Sequence, residues 1–156
     1  MRIFQKTFSE YELIYPQKRI SWRKNGNIIN LIRPLFEGYL FVSASQENIN
    51  KFDLLLHKYR LNIAWLVRCT GALMPILADE QQLIQNLMGS EGIVEISEIN
   101  KKTRKITKGP LIGMEHIIKK FSPRNRRITV EVPILKTIRK IELDGVLVDF
   151  EQTSDR

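Results

Sequence analysis

Turn-forming residues recur at short intervals in the last third of the chain, and they limit the fold more than any other feature. They are Gly109-Pro110, Gly113, Ser122-Pro123 and Asp144-Gly145, and short runs rich in isoleucine and valine lie between them. Turns this closely spaced are typical of small β-barrels, because the intervening runs have the length of single strands. The sequence therefore predicts a small, SH3-like all-β barrel over residues 104–150.

A mixture of strand and helix periods covers residues 1–89. Asn25-Gly26 is the dipeptide most typical of a tight hairpin turn, and alternating residues flank it on both sides. Apolar residues at spacings of three and four predict one helix over Gln46–Tyr59 and a second that starts at a capping-box pattern at Asp79. This order predicts an α+β amino-terminal domain with helices packed on an antiparallel sheet.

Further elements are predicted around this frame. Tyr39–Val42 is predicted to be a central buried strand, and Ala64–Val67 is predicted to be another strand. The spacing of apolar residues in Met1–Tyr11 predicts the end of an amphipathic helix. Residues 90–103 show no helical period and are predicted to be a linker. Residues 151–156 are predicted to be a tail.

The basic charge is concentrated in one segment. The chain has 25 basic and 17 acidic residues, and residues 101–140 hold 13 basic and only 2 acidic side chains. A patch of this density is expected of a protein that binds nucleic acid or a ribonucleoprotein. A solvated face that serves only solubility is the alternative.

Several classes of protein are disfavoured. No P-loop pattern and no nucleophile beside a histidine and a carboxylate is present, so we do not expect an enzyme or a cofactor. One cysteine, Cys69, with His57 and His116, offers no zinc-ligand spacing. No apolar run approaches the roughly 20 residues of a membrane span, and the start does not resemble a secretion signal. We therefore expect a cytoplasmic protein.

The segment from Lys108 to Lys120, followed by the basic tetrad Arg124–Arg127, resembles the KOW motif of NusG-type elongation factors and several ribosomal proteins. Gly109-Pro110 suits its turn, although His116 stands where the family more often has a second glycine. An unrelated SH3-like barrel is the alternative. The residues assigned to the motif are Lys108, Gly109, Pro110, Leu111, Gly113, Ile117, Lys119, Lys120, Arg126 and Arg127.

The segment Arg33–Val42 resembles the signature of the NusG amino-terminal (NGN) domain, in which an aromatic-Pro-Gly-Tyr turn leads into a hydrophobic strand. Glu37 stands where proline is usual. The family's domain usually opens with a Trp-Tyr strand and a first helix, whereas this sequence begins inside that helix. The resemblance implies an NGN domain over residues 1–89, lacking the usual first strand, and a KOW domain over 104–150. The pattern is closest to specialised paralogues of the LoaP and RfaH kind.

The resemblance also implies a function in transcription elongation and antitermination. In this family the NGN domain binds the clamp helices of the largest RNA polymerase subunit and suppresses pausing and termination. Phe36, Tyr39, Phe41 and Trp65 are the candidates for that surface, although core aromatics have the same appearance in a sequence. The KOW domain is the family's docking module for a small-subunit ribosomal protein or Rho. We expect a monomer whose barrel stays β, because Pro133 would interrupt a long helix.

The hairpin around Asn25-Gly26 is a candidate for contact with an RNA hairpin in a target leader. Its cations flank a tryptophan, a composition suited to phosphate contacts and base stacking. An ordinary exposed cation stripe is the alternative, and a ribosome-associated or ribosomal KOW protein that binds ribosomal RNA is the rival function. The predicted RNA-binding residues are Lys18, Arg19, Trp22, Arg23 and Lys24.

Overall fold

A computed structural model describes residues 8–58 and 64–149 of the protein. The described part is a mixed α+β structure, mostly sheet, with two α-helices. It divides into two compact units: the first unit comprises Met1–Tyr15 and Tyr39–Ile76, and the second unit comprises Pro16–Gly38 and Leu77–Arg156. Neither described helix has the length and apolar character needed to cross a membrane.

The first unit is a helix beside two small sheets. Strand β1 (Glu12–Ile14) pairs antiparallel with β4 (Phe41–Ser43), helix α1 spans Gln46–Lys58, and β5 (Arg68–Cys69) pairs with β6 (Ala72–Leu73). Its buried core is formed by Phe8, Phe52 and Leu56. The rings of Phe8 and Phe52 meet edge to face with centroids 5.1 Å apart, an arrangement that aromatic pairs favour.

Four local predictions in the first unit have different outcomes. The helix over Gln46–Tyr59 is confirmed as far as Lys58. The strand predicted for Tyr39–Val42 exists, but it is half-buried and pairs only with β1 within the described residues, so the prediction of a central strand is wrong. Ala64–Val67 lies outside any described strand, so the strand predicted there is not found. The helix end predicted for Met1–Tyr11 falls largely outside the described residues.

The second unit begins with a hairpin, defined as β2 (Gln17–Lys24) and β3 (Asn27–Pro34). All eight residues of each strand are paired, from Gln17 with Pro34 to Lys24 with Asn27. Asn25 and Gly26 have φ of 50° and 82°, the positive values that a two-residue turn of this type needs. The hairpin prediction is therefore confirmed. The short strand β7 (Ile93–Val94) pairs parallel with the start of β2.

A five-stranded sheet forms the larger part of the second unit. Its strands are β8 (Ser97–Asn100), β9 (Ile106–Lys108), β10 (Ile118–Ser122), β11 (Arg127–Ile134) and β12 (Thr137–Val148), in the spatial order β10-β11-β12-β8-β9. Alternate residues of β11, from Ile128 to Ile134, are at most 3% exposed and form the centre of its core. Within the described residues no pairing joins β9 to β10, so the predicted closure into a barrel is not found.

Two corrections concern the segments before and after this sheet's centre. Residues 90–103, predicted to be a linker, contain β7 and β8, which pair with β2 and β12. The predicted break at Asp144-Gly145 is absent, because β12 runs through it without interruption. The compact second unit also takes in the hairpin, which the sequence-based boundaries of 1–89, 90–103 and 104–150 assign to the amino-terminal domain. Those domain boundaries remain a prediction.

Helix α2 (Ala78–Met88) belongs to the second unit and buries Ile84, Leu87 and Met88. The capping pattern predicted that this helix starts at Asp79, and the structure starts it one residue earlier, at Ala78. The carboxylate of Glu80, which is 5% exposed, accepts the backbone N–H of Leu77 at 3.1 Å. Glu80 thus satisfies one of the donors that the first turn of a helix leaves without an intrahelical partner.

Candidate functional site

A buried ion pair holds the hairpin against the five-stranded sheet of the second unit. The side chain of Asp144 is fully buried and pairs with Arg127, its partner in the β11–β12 register. Asp144 also accepts the backbone N–H of Ser21 at 2.6 Å, and Arg127 donates to the Ser21 carbonyl at 3.2 Å. The pair thus binds both backbone groups of one β2 residue, as a neighbouring strand would.

Two of the five predicted RNA-binding residues also have partners inside the second unit. Lys18 donates from Nζ to the carbonyl oxygen of Glu142 at 2.8 Å, and burial lowers its pKa. Arg19 donates to both carboxylate oxygens of Glu95, at 2.7 and 3.0 Å, and this hydrogen bond raises the pKa of its guanidinium. The structure therefore uses Lys18 and Arg19 to join the base of the hairpin to the rest of the unit.

The other three predicted RNA-binding residues lie on the outer part of the hairpin. Trp22 is 54% exposed, and Arg23 and Lys24 are exposed beside the turn. Trp22 lies opposite Ile29, itself 38% exposed, on the same face of the hairpin. The hairpin tip therefore presents cations together with apolar surface.

The glycines and apolar residues of the KOW-like segment have structural positions. Gly109 has φ of 102°, and a Cβ at this site would lie 2.8 Å from the Cα of Ser97 and 2.9 Å from the carbonyl oxygen of Ile96. Only glycine fits this approach of two backbones. Gly113 has φ of 75°, as its predicted turn requires. Pro110 is half-buried, and Leu111 and Ile117 are 0% and 5% exposed.

The cations of the same segment divide into paired and unpaired groups. Lys108 lies 3.5 Å from a carboxylate oxygen of Glu98, and Lys119 lies 3.4 Å from one of Glu131, in exposed ion pairs. Arg127 is taken by the buried pair described above. The Nε of Arg126 is buried without a hydrogen-bond partner in the described structure, and Lys120 is exposed.

Two basic loops leave the five-stranded sheet in the same direction along β12, and we call their cations the basic end. Strands β8 and β12 are parallel, so the β8–β9 loop follows the end at which β12 finishes. Strand β11 is antiparallel to β12 and begins opposite Asp144, so the β10–β11 loop points in the same direction but leaves the sheet four residues before Val148, where β12 finishes. The cations of the basic end are Lys101, Lys102, Arg104, Lys105, Arg124 and Arg126.

Among the cations of the basic end, Lys101 has an exposed ion pair, at 3.2 Å from Asp149. The first loop is shaped by Asn100, whose Oδ1 accepts the backbone N–H groups of Lys102 and Thr103 at 2.9 and 2.8 Å. The sequence analysis did not select this group of cations, because it treated residues 90–103 as a linker. Four cations within residues 101–105 were the signal that would have identified it.

Three of the four predicted polymerase-binding aromatics lie in the first unit, at positions that alternate with its core. Leu40, Val42 and Leu66 pack against the core cluster. Side chains alternate between faces along a strand, so Phe41 of β4 lies on the opposite face from Val42. Tyr39 and Phe41 are half-buried, and Trp65 is 76% exposed.

Phe36, the fourth predicted polymerase-binding residue, has a different environment. It belongs to the second unit and is only 7% exposed, next to Leu35 at 4%. The backbone N–H of Leu35 donates to the Pro16 carbonyl at 2.8 Å, which continues the ladder at the base of the hairpin. Phe36 is therefore buried, and its side chain is not part of an exposed surface.

Among residues 8–58 and 64–149, no three His, Cys, Asp or Glu side chains come together as a metal site would require. Cys69 is exposed and unpaired. In comparisons with known proteins, no family model and no curated protein matches the chain.

Proposed function

We propose that this protein is a transcription elongation and antitermination factor of the NusG type, and that it acts by binding rather than by covalent chemistry. The observation that carries the proposal is the basic end, whose six cations lie on two loops that leave the sheet in the same direction. The KOW-like segment forms part of the same sheet, and the exposed Trp65 of the first unit, with the half-buried Tyr39 and Phe41, supplies a second contact. In this proposal the protein is a specialised, operon-specific paralogue of the LoaP and RfaH kind.

The basic end suits the phosphates of a nucleic acid. Five of its six cations are long, exposed side chains on turns, whereas Arg126 is half-buried. Among the described residues, Asp149 lies within ion-pairing distance of Lys101. Phosphate contacts need mobile cations without strong internal partners, since each contact gains free energy by releasing counterions. Lys18 and Arg19 lack that freedom, so in our proposal RNA binding depends on the basic end.

The proposed polymerase surface consists of Tyr39, Phe41 and Trp65 in the first unit. Trp65 is the strongest candidate, because an indole that is 76% exposed costs free energy to hydrate and becomes favourable when a partner covers it. Leu54 of α1 is a matched control, since it is 69% exposed in the same unit and outside the aromatic set.

The first test is terminator readthrough by purified RNA polymerase with and without the protein. We expect increased readthrough, and we expect Trp65→Ala to weaken polymerase binding about tenfold or more whereas Leu54→Ala leaves it nearly unchanged. Dependence on a leader RNA would distinguish an operon-specific factor from a general one. Recovery of ribosomal subunits but never polymerase from cells would reject the proposal in favour of a ribosome-associated KOW protein.

The second test measures the salt dependence of RNA binding. In the triple variant Lys102→Gln, Arg104→Gln and Lys105→Gln, the slope of log affinity against log salt should fall by about 2 to 3 if all three cations contact phosphates. The control variant has the same change in net charge at three ion-paired lysines, Lys108, Lys119 and Lys140. Equal losses in the two variants would show that overall charge, not the basic end, attracts RNA.

A further inference from the structure

The outer strand of the hairpin has an open edge. Strand β3 is the outermost strand in the order β3-β2-β7, and β2 covers only one of its sides. The opposite edge of β2 is occupied, by β7 at Gln17 and Lys18 and by the Asp144–Arg127 pair at Ser21. Within the described residues, nothing pairs with the other edge of β3.

The register determines which backbone groups this edge presents. Lys24 and Asn27 flank the two-residue turn, so they and every second pair after them exchange hydrogen bonds across the hairpin. The alternate residues direct their N–H and C=O groups outward. On β2 this rule selects Ser21, whose N–H and C=O do bind Asp144 and Arg127. On β3 the same rule selects Ile28, Asn30 and Ile32.

The side chains of this edge are unusual for a surface. Ile28 is 51% exposed, Ile29 and Ile32 are each 38% exposed, and Trp22 beside them is 54% exposed. Soluble proteins normally protect a long open edge with charges, proline or a bulge, since an apolar edge pairs readily with other strands. On β3 a charge and a proline occur only at the end, at Arg33 and Pro34.

The charge of the hairpin indicates which kind of strand would pair there. Residues 17–34 contain five cations and no carboxylate. Lys18 and Arg19 have internal partners, which leaves Arg23 and Lys24 near the turn and Arg33 at the opposite end of β3. The apolar middle of the edge is thus bracketed by positive charge.

We propose that β3 is a docking edge for an extended segment of a partner protein that has an apolar centre and carboxylates at both ends, and that adds to the sheet as a further strand. Backbone groups of Ile28, Asn30 and Ile32 bind the segment, and the exposed aliphatic side chains contact its centre. A second copy of this chain fits less well, because antiparallel pairing of two β3 strands places Lys24 of one copy near Arg33 of the other. RNA fits less well, because bases stack on aromatic rings and only one of the four exposed apolar side chains, Trp22, is aromatic.

The test uses the full chain and two synthetic peptides with the same alternating valine and threonine centre. One has glutamates at both ends and the other has lysines. We expect the glutamate peptide to bind, and Asn30→Pro to weaken it about tenfold because proline removes an outward N–H. Asn30→Ala is the matched control: it loses the same 3.4 Å contact with the Ser21 hydroxyl but keeps that N–H.

Four outcomes would overturn the proposal: no binding of the glutamate peptide, equal binding of the lysine peptide, equal effects of Asn30→Pro and Asn30→Ala, or a dimer of the free protein that Asn30→Pro dissociates. Loss of oligouridine binding in Asn30→Pro, without peptide binding, would assign the edge to nucleic acid instead.

A second pair of variants guards against misfolding of Asn30→Pro. Ile32→Glu and Ile32→Lys remove the same apolar side chain and keep the backbone N–H, so they differ only in charge. The glutamate peptide should bind the Lys variant at least several-fold more tightly than the Glu variant. Equal affinity for the two variants would contradict the charge-matched docking of an acidic strand.

Discussion

Two dipeptides of the same chemical type, Asn25-Gly26 and Asp144-Gly145, have opposite structures in the second unit. The first forms the two-residue turn between β2 and β3, with positive φ at both residues. The second lies inside β12, whose pairing with β11 reaches Asp144 and whose pairing with β8 begins at Gly145. A polar residue followed by glycine is thus a turn signal only where nothing in the fold needs the extended backbone.

The difference has a physical cause in what surrounds each glycine. Nothing lies within 4 Å of a Cβ placed on Gly26, whereas a Cβ on Gly145 would lie 2.5 Å from Cδ1 of Ile128 and 3.1 Å from Cδ1 of Ile99. Gly26 is needed because its backbone has a positive φ. Gly145 is needed because a side chain there would overlap Ile128 and Ile99 in the core. Asp144, on the other face, is needed for its charge.

The largest effect is expected from Asp144→Ala. It leaves Arg127, whose side chain is 19% exposed, without its carboxylate, and it removes the acceptor of the Ser21 N–H. We expect the second unit to lose about 3–5 kcal/mol of unfolding free energy, measured by urea denaturation followed through amide resonances. Asp149→Ala, which breaks an exposed ion pair, should cost at most about 0.5 kcal/mol. Similar losses in both variants would refute a structural role specific to Asp144.

Gly145→Ala comes next. The added methyl group overlaps the side chain of Ile128, and overpacking of this kind costs about 1–3 kcal/mol. Ile128→Val removes the Cδ1 that lies closest, so the double variant should recover part of the loss. Thermal unfolding of the single and double variants measures this recovery. Additive losses would mean that the clash with Ile128 is not the cause.

Gly26→Ala should have a smaller effect. The site has room for a methyl group, but alanine at φ of 82° is strained by about 1–2 kcal/mol. Asn25→Gly is the control, because glycine adopts the positive φ of Asn25 readily. Hydrogen exchange of the β2 and β3 amides should detect opening of the hairpin in Gly26→Ala. Equal protection in Gly26→Ala and the parent would mean that the turn does not depend on this glycine.

The smallest effect concerns Lys18, which joins β2 to β12. Burial lowers its pKa, so the folded protein binds this proton less tightly than the unfolded chain does. Stability from this group should therefore rise with pH through the window below the ordinary value of 10.5 and level off above it. Lys18→Met should remove that slope and, by losing the bond to Glu142, change stability by only about 1 kcal/mol. If the slope of stability against pH were unchanged in Lys18→Met, the slope would come from other titratable groups.

Much of the local structure of the second unit was predictable. Alternation in β11, from Ile128 to Ile134, predicts a half-buried strand because both faces of the pattern are clear. The Asn25-Gly26 hairpin and the glycine requirement at Gly113 were predictable for the same local reason. The continuity of β12 was not predictable. An extended backbone is favourable at Asp144 only because Arg127 and Ser21 bind its carboxylate, and both contacts depend on the tertiary structure.

The candidate sites divide in a similar way. Composition located the basic segment, and alternation is consistent with the position of Phe41 on the opposite face of β4 from Val42. The sequence did not show that Phe36 is buried, or that Lys18 and Arg19 have internal partners. Those facts depend on contacts between residues far apart in the chain.

The sequence alone thus determined the β-rich character of residues 104–149, the hairpin turn and the concentration of positive charge, because these depend on neighbouring residues. The tertiary structure decided whether Asp144-Gly145 is a turn, which cations remain exposed and which sheet the hairpin joins. A buried carboxylate is stable only beside its charge partner and donors, so such outcomes depend on the packed fold.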